Sequence, residues 1–424
     1  MTARLARTTA PRSLWFLLGL LVLSIFINYI DRSNLSVAIA DSGPGNLRSA
    51  LSLGPAQIGK LLGAFFWSYA LLQLAAGWLV DRYNVYWVYA AGFLLWSVAT
   101  ALTGAVSGFG VLFGLRLILG TGESVAYPAY SRIIACDFPE RHRGVANALL
   151  DAGSKAGPAL GTLLGGLMVA RWGWRPLFFA LGVGGLLWLV PYVFSIPRHT
   201  SASLRVRKED AGPGFLQIAR KRDAWGTFLV LFCANYAWYF IVTSLPWYLV
   251  DERKFTTPMM AVYGSLPYTG IAIMSVVGGW VSDRLIERGA DVSRVRKGFA
   301  VSGLLLSTLI LPASMLSNQA MAMALLTFGC LCYGLYSSNV WAITQTLAGP
   351  GAGKWTGMQN CIGNLSGIAA PWITGLIREH TGGFFYAFAA ACVCLVIAAC
   401  SYIFLVGKVE PIRWGASGSS TTTL

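Results

Sequence analysis

Charge is scarce in this chain. Only 12% of its 424 residues are Asp, Glu, Lys or Arg, against about a quarter in an ordinary soluble domain. Acids are scarcer than bases, 17 against 32, and there are three histidines. None of those histidines stands at metal-ligand spacing from a cysteine. No phosphate-cradling loop and no nucleophile beside a base offers itself, so an enzyme finds no support and no cofactor is expected. Of the eight cysteines, Cys233, Cys330, Cys332, Cys361, Cys392, Cys394 and Cys400 lie inside apolar runs. They read as small core residues rather than disulfides. What is plentiful is hydrophobic: 56% of the chain, in runs of membrane-spanning length from end to end. A polytopic helical membrane protein follows. On a soluble chain the formal charge of +15 would suggest nucleic acid. Here the basic residues gather in alternate loops, as the positive-inside rule expects, and no nucleic-acid partner is expected.

By length, twelve membrane helices are expected, over 14–40, 56–80, 85–105, 108–134, 144–171, 175–196, 224–250, 258–283, 298–317, 319–348, 355–378 and 383–407. The lead carries Arg4, Arg7 and Arg12 and no acid. The apolar run behind it is too long for a signal peptide and contains Asp31-Arg32, so it reads as an uncleaved first helix. The polar stretch Pro197–Arg222 divides the chain. Its expected parts are a six-helix bundle over 1–196, a cytoplasmic linker over 197–222, a second bundle over 223–407 and a cytoplasmic tail over 408–424. The last ten residues, rich in Ser and Thr, are expected to be disordered. Arg141 and Arg143 follow the fourth helix, and Arg284, Arg288, Arg294, Arg296 and Lys297 follow the eighth. These loops, both termini and the linker are therefore placed in the cytoplasm. The halves also repeat. Gly77-Trp78-Leu79-Val80-Asp81-Arg82 returns as Gly279-Trp280-Val281-Ser282-Asp283-Arg284. Asn147 precedes Pro158 by the same eleven residues as Asn360 precedes Pro371. A site near the midplane between two such halves is the geometry of a rocking transporter.

Ionisable residues within the apolar runs are the sharpest signal, because one charge at a helix centre costs about 2.5–3.5 kcal/mol or more. In the first helix, Tyr29 and Arg32 share a face and Asp31 points about 100° away. The pair either marks a transport path or tethers helices. In the fourth helix, Arg116 and Glu123 share a face about 10 Å apart. That is too far for a direct pair, so each serves another helix, and Asp31 is the natural partner for Arg116. Glu123 is either a proton site or a structural partner for arginine. In the fifth helix, Asp151 and Lys155 stand four apart. They either neutralise each other or leave Lys155 to join Arg32 in binding an anion. Tyr69, Asn235, Tyr236, Tyr239, Ser338, Asn339, Trp341, Asn360 and Asn364 lie at similar depth. As a group they suit a polyhydroxylated ligand, and singly they are as apt to bond a neighbouring helix. The glycines over 153–166 read as close helix packing. Asp81-Arg82 and Asp283-Arg284 are helix caps or gate latches.

Several stretches together resemble a known family. They are Tyr29-x-Asp31-Arg32-x-Asn34-Leu35-Ser36-Val37-Ala38, Ala64-Phe65-Phe66-Trp67-Ser68-Tyr69 with Gln73, Arg116-x6-Glu123 with Tyr127-Pro128, Phe138-Pro139-Glu140-Arg141-x-Arg143-Gly144, and Asn360-x3-Asn364 with Pro371. The pattern, over nearly the whole chain, is similar to the anion:cation symporters of the major facilitator superfamily, which include bacterial galactonate, glucarate and tartrate permeases. The resemblance implies an all-α membrane protein with twelve transmembrane helices in two pseudo-symmetric bundles. It implies proton-coupled uptake of an organic anion, a sugar acid such as a hexonate or hexarate, by a monomer in the bacterial inner membrane. Asp31 and Glu123 would be protonation sites tuned by Arg116. Tyr29, Arg32, Tyr69, Ser338, Trp341 and Asn360 would line the substrate site, which the reading of the residues extends to Lys155, Tyr236, Tyr239 and Asn364. Gating would fall to Asp81, Arg82, Glu140, Arg143, Asp283 and Arg284. Two departures stand out. Tyr83-Asn84-Val85-Tyr86 replaces the usual glycine and basic residues after Asp81-Arg82, and Asp151 and Lys155 are not general family features. The competing expectations are an exchanger or facilitator of aromatic or dicarboxylic acids, a non-transporting membrane sensor, and a membrane enzyme.

Overall fold

The computed structural model describes residues 12–41, 43, 45–138, 140–196, 213–412 and 414. The side chains of residues 12, 13, 74, 81, 135, 136, 140–145, 148 and 350 lie outside that description. Among the described residues all regular structure is helical: α1 (Arg12–Ala40), α2 (Leu47–Ala50), α3 (Pro55–Arg82), α4 (Val85–Thr103), α5 (Phe109–Glu123), α6 (Ala126–Asp137), α7 (Glu140–Trp172), α8 (Trp174–Ser195), α9 (Phe215–Ala219), α10 (Arg222–Asp251), α11 (Thr257–Glu287), α12 (Val292–Ser307), α13 (Ile310–Met315), α14 (Gln319–Ser337), α15 (Val340–Ala348), α16 (Ala352–Thr381) and α17 (Phe385–Phe404). Three spans are built from two helices each, α5 with α6, α12 with α13 and α14 with α15, giving twelve spans in two sets of six.

Two of these interruptions have the same cause. Pro128 has no N–H for the carbonyl of Ser124, and α5 stops at Glu123. Pro312 likewise leaves Thr308 without a donor, and α12 stops at Ser307. The third break, at Ser338-Asn339, has no proline. There the Asn339 amide donates to the Leu335 carbonyl and to Ser338 Oγ, competing with the helix for local bonds.

Nine described spans are long and apolar enough to cross a membrane on composition alone. The other three, α3, α7 and α16, are long enough, with 28, 33 and 30 residues, but richer in glycine and polar groups. They are the helices that meet across the seam between the halves, α3 against α16 and α7 against α11. Backbones approach closely there. A Cβ on Gly59 would lie 2.6 Å from the Pro371 carbonyl, and one on Gly375 would lie 2.9 Å from the Gly59 Cα. Only the missing side chains let α3 and α16 touch, as in small-residue contacts of membrane helices.

Polar contacts close the same end of the seam. Arg48, on α2, pairs with Asp251 at the end of α10 at 2.7 Å, and Asp251 also holds Arg378 of α16 at 2.6 Å. Thr257 donates to Asp41 at 2.9 Å.

Candidate functional site

Arg32 is the hub of the buried charges. Its Nε donates to Glu123 Oε2 at 3.0 Å, with both side chains almost wholly buried. The rings of Tyr69, Tyr29 and Phe65 lie 4.6, 4.7 and 5.0 Å from its Cζ. This aromatic cage replaces part of the water that the guanidinium gives up. Its Nη2 is buried without a protein partner. The Pro128 break makes Glu123 the last residue of α5, so its carboxylate sits at the negative end of that helix and depends on Arg32.

The expected Asp31–Arg116 pair does not form. Asp31 accepts instead from Asn34 Nδ2, one turn on, at 3.0 Å. Arg116 lies against Phe65, 5.6 Å from the ring centroid, with its Nε buried and unpartnered. The hundred-degree offset between Asp31 and Arg32 gives Asp31 a local partner, and Arg116 makes no ion pair among the described residues.

A narrow cavity lies between the halves. Tyr29, Arg32, Phe65 and Arg116 line one side of it, and Trp238 and Tyr239 of α10 the other. Beside it the halves touch again. The Phe66 and Tyr239 rings are 4.3 Å apart, Tyr239 donates to Asn364 Oδ1 at 2.6 Å, and Asn364 Nδ2 reaches Gln73 at 3.5 Å. Tyr29 shares a hydroxyl hydrogen bond with Tyr127 at 2.9 Å. Gly157 lets α7 press on α1, since a Cβ there would lie 2.5 Å from that of Tyr29. Two residues earlier, Lys155 Nζ lies 5.5 Å from the Trp238 ring centroid and 4.0 Å from Asp151.

The remaining expected site residues fall elsewhere. Tyr236 is buried on α10 away from the cavity lining, and Trp341 and Asn360 are half-buried outside it. Ser338 Oγ donates to the Leu335 carbonyl and packs where α14 meets Gly278 of α11. Asp283 pairs with Arg296 at 2.6 Å and Arg284 with Glu287 at 3.2 Å, both inside the second half, so neither bridges the seam. Arg82 lies over Trp78. Expectations for Asp81, Glu140 and Arg143 rest on side chains outside the described set. Sequence reasoning missed Trp238, although its neighbour Tyr239 was visible, and it missed the Arg48–Asp251–Arg378 cluster. At the end of α6, burial pushes the Asp137 carboxyl above the usual carboxylate range, and the Tyr86 hydroxyl donates to it. Among the described residues, no group of three or more His, Cys, Asp and Glu could hold a metal ion.

Comparison with known proteins agrees with this architecture. The "Probable galactarate/D-glucarate transporter" of Pseudomonas putida is 32% identical, with 96% of this chain and 95% of that protein aligned. The "D-galactonate transporter" of Escherichia coli is 28% identical over 95% and 97%. A bacterial homolog of the human lysosomal transporter Spinster, solved in an inward-facing and occupied conformation, shares the fold with a TM-score of 0.79 at 19% identity, covering 94% of this chain and 97% of that one. The Major Facilitator Superfamily profile matches residues 21–371. With that match over most of its length, this chain belongs to the Major Facilitator Superfamily and is a multi-pass membrane transporter rather than an enzyme.

Proposed function

We propose that the protein carries an organic anion, a sugar acid such as a hexonate or hexarate, together with protons across the bacterial inner membrane by alternating access. The segments 1–196 and 223–407 rock about the glycine seam, with both termini and the linker in the cytoplasm. The names of the relatives support the substrate class. One observation carries the mechanism: Arg32 offers Nε to Glu123 and, among the described residues, keeps Nη2 unpartnered, beside an Arg116 with no ion pair. A charged Glu123 occupies Arg32 and lowers the positive potential that an anion would feel. Protonating Glu123 frees that guanidinium edge for a carboxylate, which Arg binds in a planar fork. Proton and anion therefore favour each other's binding, and the coupling is reciprocal. Asp31, equally buried, is the second proton site.

The test uses purified protein in liposomes. Glu123→Gln fixes the neutral form. Accumulation of labelled hexonate driven by a pH gradient should fall to background, while exchange of labelled for unlabelled substrate without a gradient persists. A mutant that still accumulates substrate on a proton gradient alone rules out Glu123 as the coupling site.

A further inference from the structure

The proposed reaction requires one cationic pole, and Arg32 with Arg116 supplies it. A second cation, Lys155, stands just behind the cavity's Trp238 wall. Lys155 Nζ rests on the face of Trp238, 5.5 Å from the ring centroid, and Trp238 lines the cavity opposite Arg32 and Arg116. The face of α7 that carries Lys155 looks toward the second half. Two turns further on, Thr162 Cγ2 would lie 3.4 Å from a Cβ built on Gly264 of α11. Asp151 only partly occupies the ammonium. Their separation is 4.0 Å, no hydrogen bond joins them, and the Asp151 side chain is 55% exposed against 22% for Lys155. Asp151 is thus turned outward, and among the described residues no hydrogen bond takes the three N–H donors of Lys155. The indole contact holds the ammonium beside the cavity, where it can meet a ligand.

We propose that Lys155 is a second anionic anchor, and that the favoured substrates are dianions with an acid group at each end of a short polar chain. One carboxylate takes the planar fork of Arg32 beside Arg116. The other meets Lys155, whose point charge tolerates a range of approach directions. The chain between them crosses the Trp238 indole, where C–H faces pack and hydroxyls reach Tyr29 and Tyr239. This narrows the sugar-acid reading and rests on it.

The experiment is calorimetric binding of a matched pair, a hexarate and the hexonate of the same carbon skeleton, to the full-length protein. Wild type should bind the hexarate at least about tenfold tighter, since each tenfold step is about 1.4 kcal/mol. In Lys155→Gln the hexarate Kd should rise about tenfold more than the hexonate Kd, so that the ratio collapses. Lys155→Arg should restore the ratio, separating anion recognition from a fold defect. A ratio that persists in Lys155→Gln, or equal losses for both acids, overturns the proposal. Wild type that binds both acids equally, with Arg32→Gln binding neither, overturns the dianion alone and keeps the transporter reading. Wild type that binds neither acid removes the sugar-acid reading and this proposal with it.

Discussion

Opening the closed end of the seam requires Arg48 to leave Asp251. That ion pair crosses from one half to the other, whereas Asp251 and Arg378 both belong to the second half and separate from Arg48 together. The Arg48 and Asp251 side chains are 22% and 24% exposed. The pair therefore falls between exposed pairs, worth about 0.2–1 kcal/mol, and buried ones, which cost about 3–5 kcal/mol to break. Screened by the adjoining solvent, it contributes about 1 kcal/mol to the closed state, or about a fivefold population ratio. Arg48→Gln should thus raise the fraction open at this end about fivefold. Arg378→Gln should raise it less, because the bond across the seam survives. The assay is alkylation by a membrane-impermeant maleimide at Val242→Cys, a cavity position, in a background whose eight cysteines are replaced by alanine. Equal labelling rates with and without Arg48→Gln would refute the latch. A larger effect for Arg378→Gln would show that the second half itself, rather than the seam, sets the closed state.

Arg32→Lys should weaken substrate binding about tenfold or more, because a point charge replaces a fork held among three rings, and hydrogen bonds to charged groups contribute about 1.5–3 kcal/mol. Unchanged affinity in a protein of normal melting temperature refutes a direct contact. Asp137 titrates with a definite sign. Burial raises its folded pKa above the unfolded value, so the folded state holds the proton more tightly, and the associated stability is lost as pH rises through the raised value. Asp137→Asn, which still accepts from Tyr86, should melt above wild type at pH 7, with the difference shrinking toward pH 4. A difference that does not change with pH refutes the assignment.

The twelve spans were legible because apolar length is a local property of the chain. The breaks at Ser124-Val125 and Thr308-Leu309 were also within reach, since each lies four residues before a proline. Glu123 and Arg32 could be singled out from depth alone, but their partnership could not. Helix spacing states which face a side chain occupies, and the neighbour opposite depends on packing. For that reason Asp31 looked like the partner of Arg116. The repeat at Gly77–Arg82 and Gly279–Arg284 offered helix caps or gate latches at both sites. In the fold Asp283 finds Arg296 inside its own half, because the nearest guanidinium lies on the next helix. Among the described residues, a cross-seam pair joins Arg48 to a residue 203 positions away, and no local pattern announces such a contact. Ser338 and Trp341 sit at suitable depth, yet the break at Ser338-Asn339 commits Ser338 to its own backbone.

The crossing of α3 and α16 at Gly59 and Gly375 has a mechanical consequence. It lies one turn from the start of α3, with 23 residues beyond it to Arg82, a lever of about 35 Å at 1.5 Å per residue. A tilt of about 10° about that point displaces the far end by about 6 Å, wider than a carboxylate, while backbones at the crossing slide by about 1 Å. Two glycines without side chains let this happen without unpacking a core. In the rocking proposed above, the contact that brings α3 and α16 together at one end would be the pivot from which the other end swings.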